Sequence, residues 1–203
     1  MAKVITIYHS GFGHTKRLAE AVQDGAQGVA GVEAHLLNAK DYDTPEKLDV
    51  FDDADAIIFG CPTYMGSVSA GMKAFIEVAS KKWFTLAWKD KLAGGFTTSS
   101  SPSGDKLGCM QDLAVNAMQH GMVWVSLGML PGNMQEGQGQ KIAGPDADVL
   151  NRLGGFYGPM GQTSQVAPED GSPSEGDMET GRRYGRRVAE LAVKLQPVTS
   201  PRP

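Results

Sequence analysis

Three short segments combine glycine, hydroxyl and aromatic residues in a way that could bind a nucleotide. The first loop reads Ser10-Gly11-Phe12-Gly13-His14-Thr15. Its glycines let the backbone turn sharply near a ligand, and Ser10 and Thr15 supply hydroxyl groups. A helix is expected to begin here, and the free N–H groups of its first turn favour a phosphate. The loop matches neither a Walker A motif nor GxGxxG, so a plain turn capped by Ser or Thr stays an open alternative.

The second and third loops carry side chains suited to a flat ring with a polar edge. The second loop, Pro62-Thr63-Tyr64-Met65-Gly66-Ser67, offers an aromatic ring and a thioether for packing, and a glycine for close backbone approach. Its alternative role is a turn whose tyrosine covers the rim of the core. The third loop, Thr97-Thr98-Ser99-Ser100-Ser101-Pro102-Ser103-Gly104, brings six hydroxyl groups. The alternative of a mobile serine-rich linker disagrees with its place between a strand and a helix.

Alternating strands and helices are expected to position these loops. Helical periodicity covers residues 14–28, 69–82, 105–119 and 178–195, and Thr44-Pro45 predicts a short helix with Thr44 as its N-cap. Short runs rich in β-branched and apolar residues predict strands at 4–8, 32–37, 54–61, 91–98 and 122–127. Strands that are apolar on both faces indicate a parallel sheet covered by helices on both sides. The expected fold is α/β, a doubly wound five-stranded parallel sheet with strand order 2-1-3-4-5.

One long segment, Gly128–Asp177, interrupts this alternation with many glycines and prolines and no clear periodicity. Such a segment either serves as an active-site wall or subunit contact, or is disordered. Its aromatic and methionine residues favour an ordered segment, because a solvated linker would carry fewer of them. We therefore expect a single domain over residues 1–196, followed by a proline-rich tail, 197–203, that frays.

The predicted sheet brings the three loops to one place. In an open parallel sheet, ligands bind beyond the carboxyl ends of the strands, at the point where the strand order reverses. For the order 2-1-3-4-5 this point lies between strands 1 and 3, beside the ends of strands 1, 3 and 4. The loops would then form a phosphate cradle, an apolar plate and a hydrogen-bonding edge. Flavin mononucleotide (FMN) has the phosphate, the flat ring and the polar edge that such a site requires.

The same residues carry a resemblance that runs through most of the chain. The sequence resembles the flavodoxin-like NAD(P)H:quinone oxidoreductases of the tryptophan-repressor-binding-protein (WrbA) type. The first two loops are the most specific part of the match. The matching segments are Ala2–Val4, Tyr8–His14, Ile57–Gly66, Ser69–Phe75, Lys91–Ala93, Gln119–Met122 and Gly154–Gly158.

The resemblance implies that FMN itself carries the chemistry and that no side chain is a catalytic group. It also implies that Phe12 lies against the nicotinamide cofactor and that Trp83 lies near the substrate pocket. Tyr157 is expected to form a wall of that pocket with Trp83, from the same or a neighbouring subunit. The expected FMN contacts are Ser10, Gly11, Phe12, Gly13, His14, Thr15, Pro62, Thr63, Tyr64, Met65, Gly66, Thr98, Ser99, Ser100, Ser101, Pro102, Ser103, Gln119 and His120.

The chain departs from the family pattern in two places. Family members commonly have two histidines before Gly-Met, whereas this sequence has Gln119-His120, so either residue could be the one that contacts the flavin. Many members also carry an insertion after the second strand, and only residues 38–48 fill that space here. In relatives the insertion helps to shape the site and the tetramer. The resemblance, together with the aromatic residues of the long segment, implies a homo-oligomer, either a tetramer or a dimer.

Composition excludes several other classes of protein. A net charge of -4 lacks the basic footprint of a nucleic-acid binder, and 41% hydrophobic residues exclude wholesale disorder. The two cysteines, Cys61 and Cys109, follow no metal-binding spacing, so we expect no metal. No secretion signal opens the sequence and no apolar run could span a bilayer, which indicates a cytoplasmic protein without a membrane span.

The expected function is hydride transfer from NADH or NADPH to FMN, followed by transfer of two electrons to a quinone. Nicotinamide and quinone would take turns in one open space over the ring. The main alternative is a flavodoxin-like one-electron carrier for protein partners. That role suits a smaller and more acidic chain without the long segment. A flavin-binding regulatory or interaction protein is the third possibility.

Overall fold

The computed structural model describes residues 1–166, 168 and 171–196 of the chain. The predicted tail, 197–203, lies outside the described residues. Short 3-10 helices cover Ala39–Asp41, Pro45–Phe51 and Gly132–Met134. The other elements are β1 (Ala2–Tyr8), α1 (His14–Gln27), β2 (Val32–Asn38), β3 (Ala56–Tyr64), β4 (Ser67–Val68), α2 (Ala70–Trp83), β5 (Leu92–Ser99), α3 (Lys106–Gln119), β6 (Val123–Trp124), β7 (Met160–Gln162) and α4 (Glu175–Leu195).

The central sheet is parallel and has the order β2-β1-β3-β5-β6. Because β4 only forms a short antiparallel hairpin with β3, this is the predicted order 2-1-3-4-5 of the main strands. Alternate residues of the strands enter two different cores, as the period of two requires. Ile5 and Ile7 pack with α2 and α3 on one face, whereas Val4 and Tyr8 pack with α1 and α4 on the other. The predicted doubly wound α/β fold is confirmed.

The fifth strand differs from the prediction of residues 122–127. Only Val123–Trp124 pairs as β6, and the chain turns away at Gly128, whose φ of +69° favours glycine. After the long segment, β7 returns to pair in parallel with the other half of β5. The position next to β5 at the edge of the sheet is therefore filled by two short strands, β6 and β7, which are separated in sequence by residues 125–159.

Two predicted helix starts also differ in detail. Helix α4 begins at Glu175, three residues before the predicted Met178, because the Ser174 hydroxyl caps it by accepting from the Asp177 N–H at 3.3 Å. Pro45 begins a short helix as predicted, but Thr44 makes no side-chain capping hydrogen bond. In the described residues, no helix is long and apolar enough to cross a membrane.

Candidate functional site

The first loop ends in a helix N-terminus that is open to an anion. Gly13 is the N-cap of α1 with φ +101°, so no side chain caps the helix, and no acidic residue lies in its first turn. The Ser10 hydroxyl accepts from the Gly13 N–H at 3.0 Å and holds the turn. The first-turn amides have no partners within the helix, and they add to the positive end of its dipole. The loop therefore has the properties of a phosphate cradle.

Two buried side chains of the first turn, those of His14 and Thr15, are further evidence that this cradle binds a ligand. His14 is buried, and its Nε2 atom has no hydrogen-bond partner among the described residues. A buried polar atom without a partner costs free energy, which an anionic acceptor would recover. Thr15 is also buried, and its hydroxyl lies 2.7 Å from the hydroxyl of Thr98 at the end of β5. This hydrogen bond joins the first loop to the third.

The second loop contacts the first through Tyr64 and Gly11. Tyr64 ends β3, and its phenol oxygen occupies the place that a Cβ atom on residue 11 would need, so glycine at position 11 allows the two loops to meet. Met65 has a left-handed φ of +51° and a fully exposed side chain. Below them, the hydroxyl of Thr63 lies 2.7 Å from that of Thr97 and links β3 to β5. The exposed Tyr64 and Met65 side chains therefore follow a strand end that is hydrogen-bonded to β5.

The third loop presents free backbone N–H groups, whereas its backbone carbonyls are already hydrogen-bonded. Every carbonyl from residue 99 to residue 103 accepts a hydrogen bond, from Thr163, Gln162, Ser99 or Lys106. No described residue accepts from the N–H groups of Ser101, Ser103 or Gly104. A loop with paired carbonyls and free amides suits an acceptor-rich or anionic ring edge.

The three loops surround one cavity of about 570 Å³ at the carboxyl ends of the strands. Residues 163–165, which follow β7, also line it, and sequence reasoning missed them because β7 is too short to show a strand pattern. Ser10, Gly13, Gly66, Pro102 and Ser103 belong to the loops but do not line the cavity. The predicted residues in its wall are Gly11, Phe12, His14, Thr15, Pro62, Thr63, Tyr64, Met65, Thr98, Ser99, Ser100 and Ser101.

The remaining predicted residues lie elsewhere. Trp83, Gln119 and His120 line a second cavity of about 310 Å³. Helices α2 and α3 run from the carboxyl edge of the sheet toward the opposite edge, and these residues lie at their far ends. Tyr157 packs against Trp124, with ring centroids 6.3 Å apart, and its carbonyl accepts from the Trp124 indole N–H. Within one chain, these four residues are therefore not part of the main cavity.

The second cavity contains two buried polar groups without partners. Asn116 Nδ2 and His120 Nδ1 are both buried and unpaired among the described residues. The His120 ring stacks on Trp88, with centroids 4.5 Å apart, and burial lowers its pKa to about 4. His120 is therefore neutral at pH 7. Trp83 is 43% exposed at the rim of this cavity.

The geometry of the main cavity fits FMN on several independent observations. It combines an uncapped helix N-terminus, an unpaired buried His14 nitrogen, exposed aromatic side chains and a loop of free amides. In the described residues, no group of three His, Cys, Asp or Glu side chains could hold a metal ion. The fold and the site together define the class: the protein is a flavodoxin-like flavoprotein.

Comparison with known proteins identifies the family. Residues 3–132 match the NADPH-dependent FMN reductase family, and the chain belongs to that family. A relative from Pseudomonas aeruginosa named flavodoxin FldP is 41% identical and covers 96% of this chain and 99% of its own. An NAD(P)H dehydrogenase (quinone) from Archaeoglobus fulgidus is 33% identical and covers 96% and 100% of the two chains.

A solved structure agrees with both the fold and the family. A flavodoxin, WrbA-like protein from Agrobacterium tumefaciens superposes with a TM-score of 0.72 at 38% identity. The superposition covers 96% of this chain and 99% of that one. These comparisons confirm the predicted resemblance, the FMN cofactor and the expectation of an enzyme. The protein is a flavin-dependent oxidoreductase.

Proposed function

We propose that this protein is an NAD(P)H:quinone oxidoreductase that uses FMN. The observation that carries the proposal is Phe12, an aromatic side chain that is 76% exposed in the wall of the main cavity. An exposed ring beside a flavin site offers a packing surface to a planar ligand such as a nicotinamide or a quinone. The relative from Archaeoglobus fulgidus that bears the name NAD(P)H dehydrogenase (quinone) supports the same assignment.

When bound, FMN would supply the redox chemistry of hydride transfer from NADH or NADPH and of two-electron transfer to a quinone. The protein's part is to bind and orient. The amides at the start of α1, with His14 and Thr15, would hold the phosphate. Tyr64 and Met65 would pack on the ring. The free amides of the third loop would donate to its polar edge and stabilise negative charge there.

Turnover assays with the FMN-loaded protein test this function. We expect rapid oxidation of NADH or NADPH, followed by absorbance, only when benzoquinone is present. Because both substrates would use one space in turn, initial rates should give the parallel double-reciprocal lines of a ping-pong mechanism. Absence of NAD(P)H oxidation with a fully loaded flavin would contradict the proposal.

A one-electron carrier is the second candidate, and the relative named flavodoxin FldP favours it. A carrier would bind FMN but would not oxidise NAD(P)H by itself. Chemically reduced protein would still pass electrons to a one-electron acceptor such as cytochrome c. Running both assays on one preparation therefore separates the two candidates.

Replacing Phe12 with alanine should weaken the use of the nicotinamide cofactor without loosening FMN. The side chain is mostly exposed, so its removal leaves the fold and the phosphate cradle intact. Loss of one aromatic contact of about 1 kcal/mol predicts a roughly fivefold higher KM for NAD(P)H. Steady-state kinetics together with an FMN titration measure both quantities. An unchanged KM would show that the nicotinamide binds away from Phe12.

We also propose that the protein works as a homo-oligomer in the cytoplasm. Trp83, Gln119 and His120 line a cavity of their own, so they can contribute to the flavin site only from a partner subunit. Light scattering on a sizing column measures the assembly, and Trp83→Ala should then lower quinone turnover in the oligomer. A fully active monomer would exclude this role for Trp83.

A further inference from the structure

A buried lysine lies directly behind the third loop. Lys106 is the first residue of α3 and is 1% exposed. Its ammonium donates to the carbonyls of Ser101, Pro102 and Ser103 at 2.7, 3.0 and 3.3 Å. A cation at a helix N-terminus is opposed by the helix dipole, and its burial is costly. The three hydrogen bonds to these carbonyls therefore offset the cost of burying the ammonium at the start of α3.

These hydrogen bonds also determine where the loop amides point. In a trans peptide the carbonyl and the following N–H point in opposite directions. With the Pro102 and Ser103 carbonyls turned toward Lys106, the N–H groups of Ser103 and Gly104 point away from it. Pro102 itself has no N–H to offer. Gly104 lies in the wall of the main cavity. The ammonium thus holds the side of the loop opposite to its free donors.

A polar network extends from the same place into α4 and the long segment. Asp177 accepts from the Gln162 N–H at 2.9 Å and lies 3.3 Å from Arg152 Nε. The Gln162 side chain accepts from Arg152 at 2.7 Å and donates to the Ser100 carbonyl at 3.3 Å. The third loop is therefore held from two sides, and Lys106 provides the only cation in direct contact with it among the described residues.

We propose that Lys106 is a positioning residue for FMN: its protonated side chain holds the third loop in the conformation that presents the Gly104 amide, in the cavity wall, to the flavin. The proposal rests on the assignment of the main cavity to FMN. It concerns cofactor affinity and not the identity of the electron acceptor. An uncharged Lys106 would keep two N–H donors for three carbonyls, so the loop would lose part of its support.

This dependence on charge has a defined pH range. Burial lowers the pKa of Lys106 from 10.5 to about 8; Asp177 opposes the shift and Arg152 adds to it. FMN affinity should therefore fall as pH rises from 7 to 9. The phosphate of FMN is already a dianion there, since its second pKa is about 6. The Cys109 thiol is a second group that could produce a pH dependence in this range, because its contact with Cys61 lowers its pKa below 9.0.

The test is titration of the FMN-free protein with FMN, followed by flavin fluorescence, at pH 7 and pH 9. For the native chain we expect a dissociation constant several-fold higher at pH 9. Lys106→Met should bind roughly tenfold more weakly at pH 7, and equally at both pH values. Lys106→Arg keeps the charge at both pH values and should restore affinity and remove the pH effect. Lys89→Met, on an exposed lysine, and Cys109→Ser should behave as the native chain.

Further measurements separate this role from simple loss of structure. Lys106→Met should keep the helical circular dichroism of the native chain, while amide hydrogen exchange becomes faster in residues 99–104. A pH-independent affinity of the native chain overturns the proposal without any variant, and so does native-like binding by Lys106→Met. If the native chain bound no FMN at either pH, the proposed function itself would be wrong, which is a different result.

Discussion

Thr15→Asp should weaken FMN binding by about a hundredfold or more. The buried Thr15 side chain lies in the first turn of α1 and in the wall of the main cavity. A carboxylate there would face the dianionic phosphate at close range. Two unit charges 4 Å apart repel by about 4 kcal/mol at an effective dielectric constant of 20, and each 1.4 kcal/mol is about tenfold in affinity.

The same substitution should change the stability of the FMN-free protein by much less than it changes FMN affinity, because two effects oppose each other: burial disfavours a carboxylate at the 2% exposed position 15, whereas the start of α1 favours it. An acidic residue in the first helical turn contributes about 0.3–1 kcal/mol through the helix dipole, and α1 has none. The new carboxylate can also accept from the Thr98 hydroxyl, which lies 2.7 Å from the Thr15 hydroxyl. FMN titration and thermal unfolding of the FMN-free protein measure the two quantities, and the loss of FMN affinity should be the larger of the two in free energy.

Thr44→Asp is the matched control. Thr44 is the N-cap of the short helix Pro45–Phe51, which does not line the main cavity. This variant receives the same change of charge at a helix N-terminus and should bind FMN like the native chain. Native-like FMN affinity of Thr15→Asp would mean that the phosphate does not bind at the start of α1, and the assignment of the site would then be wrong.

Gly25→Ala should destabilise the protein by about 3 kcal/mol or more, at the high end of what overpacking costs. Helices α1 and α4 cross with their backbones in contact. A Cβ atom on Gly25 would overlap the carbonyl oxygen of Arg182, and one on Gly185 would overlap that of Val22. Because the obstacle is backbone and not a movable side chain, one helix has to shift. Alanine is otherwise the better helix former by about 1 kcal/mol, so the two effects have opposite signs.

Thermal and denaturant unfolding measure this loss, and Gly28→Ala supplies the comparison. Gly28 ends the same helix with an ordinary φ of -71°, and the nearest atom to an added Cβ is 3.5 Å away. This variant should change the free energy of unfolding by less than about 0.5 kcal/mol. At roughly 2–4 °C per kcal/mol for a protein of this size, Gly25→Ala should lower Tm by about 6–12 °C. Equal Tm values for the two variants would contradict the close helix contact.

The sequence contained enough local information for the fold and for most of the cavity. In β3, residues 56–63 are all buried, so the strand has no polar face, which is typical of a strand covered on both sides. Once the strands are parallel, the rules for crossovers leave few topologies, and the loops after β1, β3 and β5 must meet. The missed start of α4 also had a local signal, since Ser174 is followed three residues later by Asp177.

Only the tertiary structure decided which side chains share a cavity and which polar groups are buried. Trp83 and His120, like Phe12, are assigned to the flavin or substrate site by the family resemblance, yet they lie at the far ends of α2 and α3 and outside the main cavity. Lys106 reads in sequence as an ordinary polar residue at a helix start, and its burial depends on carbonyls of the third loop. β7 is three residues long and joins β5 across more than sixty positions of sequence. Local periodicity reports only the direction in which a residue faces, whereas such contacts depend on the packing of segments that are distant in the chain.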